Sequence, residues 1–202
     1  MSRVLRELIE AVVLASLVFM VIQTSIRNFK VDGSSMDPTL EHGQFLMVNK
    51  LVYFQLDTNR LSRIVPFWQV DQASNRFPIH PPQRREVIVF QFPRDTSKDF
   101  VKRIIGLPGE KVELRDGSVF INDRLLREPY ITASYDSTMA PLILDDAEYF
   151  VMGDNRRSSN DSRTWGPVPE SHLLGKVWFV YWPFSRIQLL NAMPLSATQA
   201  FR

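Results

Sequence analysis

From Leu8 to Thr24 the chain reads LIEAVVLASLVFMVIQT, with Glu10 and Gln23 its only charged or amide residues. A run of that kind must leave water, either in a bilayer or against another apolar surface. Its uninterrupted centre, Ala11 to Ile22, is twelve residues and short for a span. Counting from Leu8 to Ile26 gives nineteen residues, about 28 Å of helix against a hydrocarbon layer of about 30 Å. Three structures compete for it: a transmembrane anchor, a secretory signal peptide, and a buried or amphipathic helix. VIQTSIRNF offers no small residues at alternate positions before a cut, which argues against a cleaved signal, and an anchor is expected. Arg3 and Arg6, offset by Glu7 and Glu10, nearly balance Arg27 and Lys30 on the far side, so charge alone leaves the orientation open.

Behind Lys30 the pattern changes to short runs rich in β-branched and aromatic residues. They cover 44–54, 86–92, 99–107, 111–123, 147–154 and 173–182, each bounded by Gly, Pro, Asn or Asp. The expected fold is mainly β. Asp116-Gly117 sits between two alternating runs and predicts a two-residue hairpin, and Asn122-Asp123 marks the next reversal. No apolar spacing predicts a second helix of any length. Residues 56–85 mix four prolines with Asn, Ser, Gln and several arginines. They read as a long loop or excursion, or as a cover for an apolar face or the membrane surface through Ile64, Val65, Phe67 and Trp68. The expected organisation is an anchor over 1–28, a β-rich domain over 29–188 and an irregular tail over 189–202.

Composition narrows the chemistry. With no cysteine among 202 residues, disulfides, thiolate nucleophiles and zinc-thiolate sites are excluded. His42, His80 and His172 lie far apart without ligand spacing, so no metal site is expected. The 24 Lys and Arg balance 22 Asp and Glu and are scattered, which argues against a nucleic-acid partner. No histidine accompanies a serine in a recognisable elbow, and that leaves a serine activated by lysine as the nucleophilic scheme to consider. Such a lysine must be neutral at working pH, which burial among apolar neighbours brings about. Lys102 is the candidate, with Phe100 and Ile104 on its own strand face and Arg103 on the other. The ordinary alternative is a half-exposed strand lysine paired with Glu110 or Glu113. VDGSSMDPTL at 31–40 holds two adjacent serines in a Gly/Pro turn, also a common arrangement in turns without chemistry. GDNRRSSNDSRTWG at 153–166 is dense in hydrogen-bonding side chains, and reads equally as a solvated loop of Asp–Arg pairs.

Taken together, SSMDPTL, DFVKRIIGLPGEKVEL and YFVMGDNRRSSNDSRTWGPVPESHLLGKVWFVYWPF resemble, in order and spacing, the signature boxes of type I signal peptidases. The likeness spans roughly residues 8 to 185. It implies an N-terminal transmembrane helix followed by an antiparallel, β-rich, signal-peptidase-like catalytic domain. It implies a membrane-bound serine endopeptidase with a Ser-Lys dyad and an acyl-enzyme intermediate, acting on the signal peptides of exported preproteins. The partners implied are those peptides and the lipid bilayer. The location implied is the cell membrane, with the domain on its non-cytoplasmic side, or a thylakoid-type internal membrane; no cofactor is implied. By the same likeness Ser35 matches the nucleophile, Lys102 the general base, and Ser159 the hydroxyl that orients the amine. Asp161 and Arg163 match a supporting ion pair, with Asp154, Asn155 and Arg156 in the adjoining turn. Phe29, Val31, Met36, Leu40, Phe100 and Val101 match positions of the substrate pockets for small side chains. The oxyanion falls to Ser35 N–H and the neighbourhood of Gly33, where some members carry a serine whose hydroxyl assists; here Ser34 is a candidate to compensate. Arg85 stands where a glycine is common in the family. The same dyad chemistry also resembles self-cleaving repressor-type proteases, and a membrane-tethered β domain that binds peptides without cutting them is a further alternative.

Overall fold

Helix α1 (Arg3–Ser25) runs directly into strand β1 (Ile26–Lys30), so the anchor segment and the β domain share a continuous backbone. The computed structural model describes residues 3–53, 55–57, 76–78, 80–133 and 135–190. The apolar run forms a helix of 23 residues whose large side chains, among them Leu8, Val12, Leu14, Phe19 and Met20, face outward. Among the described residues, however, no helix is long and apolar enough to cross a membrane, which corrects the expected transmembrane helix. The reason lies in the first two turns. Arg3–Glu7 and Arg6–Glu10 form ion pairs at 3.2 and 2.7 Å along the helix, and these four charges shorten the apolar length.

The main sheet has eight strands, and all its pairings are antiparallel. In order they are β1, β2 (Phe45–Asn49), β13 (Leu173–Trp182), β5 (Val87–Phe92), β6 (Asp95–Gly106), β11 (Glu148–Met152) and β12 (Val168–Pro169), with β14 (Gln188–Leu189) on β13. Strand β5 shows why the layers form. Val87 and Val89 pack with Val31, Leu40, Leu46 and Val177, whereas Ile88 and Phe90 pack with Ile104, Tyr149, Val151 and Trp165. A strand buried on both faces must be apolar throughout, as VIVF is. Each such side chain contributes roughly 1.5–3 kcal/mol on burial.

A second sheet holds β10 (Met139–Ile143), β7 (Lys111–Arg115), β8 (Ser118–Ile121) and β9 (Arg124–Leu125) in that order, over a core of Ile105, Val112, Leu114, Val119, Ile121 and Phe150. The expected hairpin is here. Arg115 faces Ser118, and Asp116 and Gly117 adopt φ of 47° and 77°, the paired left-handed conformation of a type I′ turn. Asn122 (φ 49°) and Asp123 (φ 64°) make the next reversal in the same way. Strands β1 and β10 were not apparent from alternation. In the 56–85 excursion, β3 (Gln55–Asp57) pairs with β4 (Arg76–Pro78). Ile64, Val65, Phe67 and Trp68 lie outside the described residues, as does the tail from 191 onward. Arg85, where the resemblance would place a glycine, takes φ 74°, a left-handed backbone that favours glycine.

Candidate active site

Strand β6 reaches across the sheet between β5 and β11, and Lys102 sits at its well-paired end, opposite Ile88. The turn that leaves β1 returns to the sheet through bonds from Val31 N to Gln44 O (2.8 Å) and from Gly43 N to Val31 O (2.9 Å). Met36 and Leu40 plug that turn into the core at 1% and 0% exposure. Asn155 fixes it from the other side, its N–H donating to Ser35 O (3.0 Å) and its Nδ2 to Ser34 O (3.1 Å). Two segments 67 residues apart therefore meet with Lys102 Nζ donating to Ser35 Oγ at 2.6 Å. Nζ also donates to Val101 O at 3.0 Å and lies 5.6 Å from the centre of the Phe100 ring.

Among the described residues no carboxylate contacts the Lys102 amine. Glu110 pairs with Arg84 and Glu113 with Arg115, so neither carboxylate proposed for the ordinary alternative reaches it. Lys102 is 5% exposed. Burial pushes its ammonium down from 10.5 to about 8, against the negative charges of Asp161 and Asp154 and with the positive charge of Arg163. A lysine in that state loses its proton near neutral to mildly alkaline pH while hydrogen-bonded to a serine hydroxyl. That arrangement can activate the hydroxyl as a nucleophile.

The 153–166 segment forms the floor. Asp161 accepts from Gly153 N (3.0 Å) and holds Arg163 through two bonds at 2.8 and 2.9 Å. Arg163 Nη2 in turn donates to Arg156 O (2.8 Å) and Ser159 O (3.3 Å). Beside it Asp154, fully buried, takes a two-pronged contact from Arg103 at 2.8 and 2.6 Å and a hydrogen bond from Thr39. Gly153 separates Ser35 from Ser159, and a Cβ on it would come within 2.4 Å of Ser35 O and 2.2 Å of Ser159 Oγ. Among the described residues the buried Ser159 hydroxyl has no hydrogen-bond partner, so it stands across Gly153 from Ser35 without a bond to the Lys102 amine. Gly33 (φ 92°) spends its N–H on His42 Nδ1 at 3.1 Å, and a side chain there would point into open space. That removes the Gly33 N–H as an oxyanion donor. Ser34 is exposed.

The cleft over Ser35 and Lys102 holds about 290 Å³. Phe29, Val31, Phe100 and Val101 line it as expected, and Leu46, Val89, Ser158 and Asn160 complete the walls. Met36 and Leu40 do not line it: packed with Val48 and Val180 behind the turn, they support the walls. Leu46 and Val89 were visible as alternating strand residues, but nothing local to them marks a cleft. The same holds for Arg103 and Thr39, whose partner Asp154 is distant in sequence. A larger cavity of about 480 Å³ lies between the Gly117–Val119 edge and residues 125–135, and it contains neither Ser35 nor Lys102.

Comparison with known proteins agrees with these boxes. A family model described as "Signal peptidase, peptidase S26" matches residues 5–182. The chain is 35% identical over 167 residues to a probable signal peptidase I-2 of Synechocystis sp., covering 80% of this chain and 65% of that protein. It is 33% identical over 173 residues to signal peptidase I of Bacillus caldolyticus, covering 79% and 81%. It is also 33% identical over 160 residues to the chloroplastic thylakoidal processing peptidase 1 of Arabidopsis thaliana, covering 78% of this chain and 42% of that one. The crystal structure of a signal peptidase I from Enterococcus faecalis is 35% identical in sequence with a TM-score of 0.44, covering 48% of this chain and 97% of that one.

Proposed function

The chain belongs to the signal peptidase family, peptidase S26, and we propose that it removes N-terminal signal peptides from exported preproteins by a Ser35–Lys102 dyad. The observation that carries this reading is the 2.6 Å contact between Ser35 Oγ and a lysine amine that has no carboxylate contact among the described residues and whose pKa is depressed. Neutral Lys102 accepts the Ser35 proton as Oγ attacks the scissile carbonyl carbon. The carbonyl oxygen becomes an oxyanion held by the Ser35 N–H, and Lys102 then returns the proton to the departing amine. Water, deprotonated by the same amine, hydrolyses the acyl-enzyme and frees Ser35. The Ser159 hydroxyl, buried and unpartnered among the described residues on the far side of Gly153 from Ser35, is free to accept from the amine if Lys102 turns toward it. The pair Asp161–Arg163 holds the backbone around it.

The apolar wall of Phe29, Val31, Leu46, Val89, Phe100 and Val101 fits the residues before the cut, with small side chains favoured by the modest volume. Among small residues such pockets discriminate by only about 1–3 kcal/mol. Helix α1, with its apolar side chains outward and continuous with β1, supports attachment of the domain to a bilayer, and the non-cytoplasmic side is carried over from the family likeness alone. The test is cleavage of a preprotein by the purified full chain in detergent. Ser35→Ala is expected to yield no product and Ser34→Ala to retain cleavage; undiminished product from Ser35→Ala overturns the assignment.

A further inference from the structure

The segment that follows β9 carries a carboxylate, Glu128, against the turn that backs the proposed dyad. The Glu128 side chain is largely buried, 8% exposed, and accepts from both terminal nitrogens of Arg156, one at 3.1 Å, and from Tyr130 OH at 2.7 Å. Arg156, buried as well, turns its remaining donor Nε to Gly153 O at 3.1 Å. The other face of that glycine, its N–H, is held by Asp161. Both peptide groups of Gly153 are therefore fixed by charged side chains, at the residue with no room between Ser35 O and Ser159.

A carboxylate this buried must serve a partner. Removing it leaves the Arg156 guanidinium buried with one bond to a carbonyl, free to swing toward Asp161, whose charge already acts on it. The second arm of Glu128 leads to the same place. Tyr130, bonded to Glu128 through its hydroxyl, lies under the Arg103 guanidinium at 4.1 Å, and Arg103 is the strand neighbour of Lys102 and the partner of Asp154. Arg85 Nη2, bonded to Arg127 O at 2.6 Å, pins the segment to the start of β5. One carboxylate thus holds Arg156 directly and reaches Arg103 through the Tyr130 ring.

We propose that Glu128 is a positioning residue for the reaction, acting through Arg156 on the Gly153 peptide that backs Ser35. This rests on the proposed peptidase reading and adds a residue that never touches substrate. The alternative is a Glu128 that only welds the second sheet to the first. The two differ in what an isosteric change does to folded enzyme: positioning error slows chemistry in every molecule, whereas a lost weld only reduces the number of folded molecules.

The experiment compares the full chain in detergent with Glu128→Gln, Arg156→Gln and the double variant. It measures kcat and KM on a preprotein, the single-turnover rate with enzyme in excess, and the melting temperature. Glu128→Gln is expected to lower kcat and the single-turnover rate about tenfold with KM within twofold. The double variant is expected to be no slower than Arg156→Gln, because Glu128 acts through that arginine. An unchanged single-turnover rate in Glu128→Gln overturns the proposal, as do losses that multiply in the double variant. Should Glu128→Gln not fold, Tyr130→Phe removes only the phenolic hydroxyl: a two- to fivefold slower single turnover supports the proposal and an unchanged one overturns it. Wild type with Ser35→Ala as control separates this from the peptidase reading. If wild type cleaves and Ser35→Ala does not, that reading stands whatever Glu128 does.

Discussion

Two lysines stand in one row of the main sheet, on either side of Ile88 in β5: Lys102 on β6 and Lys176 on β13. They have the same strand context and opposite partners. Lys176 Nζ donates to Glu86 at 2.7 Å, and that carboxylate also takes Tyr53 OH at 2.7 Å and Gln83 N at 3.0 Å, with His80 Nε2 at 3.2 Å. Burial pushes the Glu86 carboxyl up, but the hydrogen bonds from Lys176, Gln83 and Tyr53 outweigh it and hold it below the ordinary range. Lys102 has a hydroxyl and a carbonyl in place of a carboxylate, and burial prevails. The sheet therefore makes one lysine structural and leaves the other ready to lose its proton, through the choice of first partner and the deeper burial of Lys102.

Exchanging each amine for an apolar group should separate the two roles most widely. Lys102→Met is expected to cut preprotein cleavage at least a thousandfold on the proposed mechanism, with unfolding stability equal to or above wild type, because a desolvated ammonium is replaced by a group that prefers the interior. Lys176→Met should do the reverse. It strands Glu86 in the core, which costs about 3–5 kcal/mol, while cleavage per folded molecule stays within about twofold. Denaturant unfolding and cleavage assays on both variants read this. A Lys102→Met protein that is severely destabilised, or a Lys176→Met protein that folds well but does not cleave, breaks the comparison.

The pH dependence sharpens it with a smaller effect. Lys102 falls from 10.5 in the unfolded chain to about 8 in the folded one. Between those two values the unfolded chain binds more protons, so stability rises with pH across that window. Below about pH 8 both states are protonated and the full penalty applies, on the order of 3 kcal/mol. The stability of wild type relative to Lys102→Met should therefore climb from about pH 8 toward 10.5, and cleavage should rise with pH along the acid limb of its profile with a midpoint near 8. A difference that stays flat over that range, measured by denaturant titration at each pH, argues that the amine is not desolvated as its burial implies.

What could be read from the sequence follows the range of each interaction. The Asp116-Gly117 hairpin and the buried β5 declare themselves locally, in turn chemistry and in apolar runs. Ser35 and Lys102, 67 residues apart, came together only through the resemblance of whole boxes. The ion pair Lys176–Glu86 spans 90 residues and Arg103–Asp154 spans 51, and no local pattern announces either. Met36 and Leu40 misled because a turn has no side-chain period: beside the proposed nucleophile in sequence, they point into the core. The expected span misled in the other direction, since the hydrophobicity of the segment is real but the first turns of its helix carry four charges.

Arg85 supplies the smallest and most discriminating test, because it is another buried cation, just before the start of β5. Like Lys102 it has a backbone carbonyl for a partner, Arg127 O at 2.6 Å, and burial pushes its guanidinium down, but a guanidinium starts too high to give up its proton. Its role is then structural, and the competing terms nearly cancel on substitution by glycine. Relief of the left-handed backbone returns roughly 1 kcal/mol, and the buried Nε that lacks a partner disappears. Against that stand the lost hydrogen bond, about 1 kcal/mol, and the greater backbone entropy of glycine, about 0.5–1 kcal/mol. The carbonyl of residue 85, which accepts from Arg103 Nη1 at 2.7 Å, is kept. Arg85→Gly should therefore change stability by less than about 1 kcal/mol and leave cleavage within about twofold. A large loss of cleavage with stability intact would mean that a buried cation just before β5 serves the reaction without changing its protonation, and first partner and burial would no longer be what separates Lys102 from Lys176.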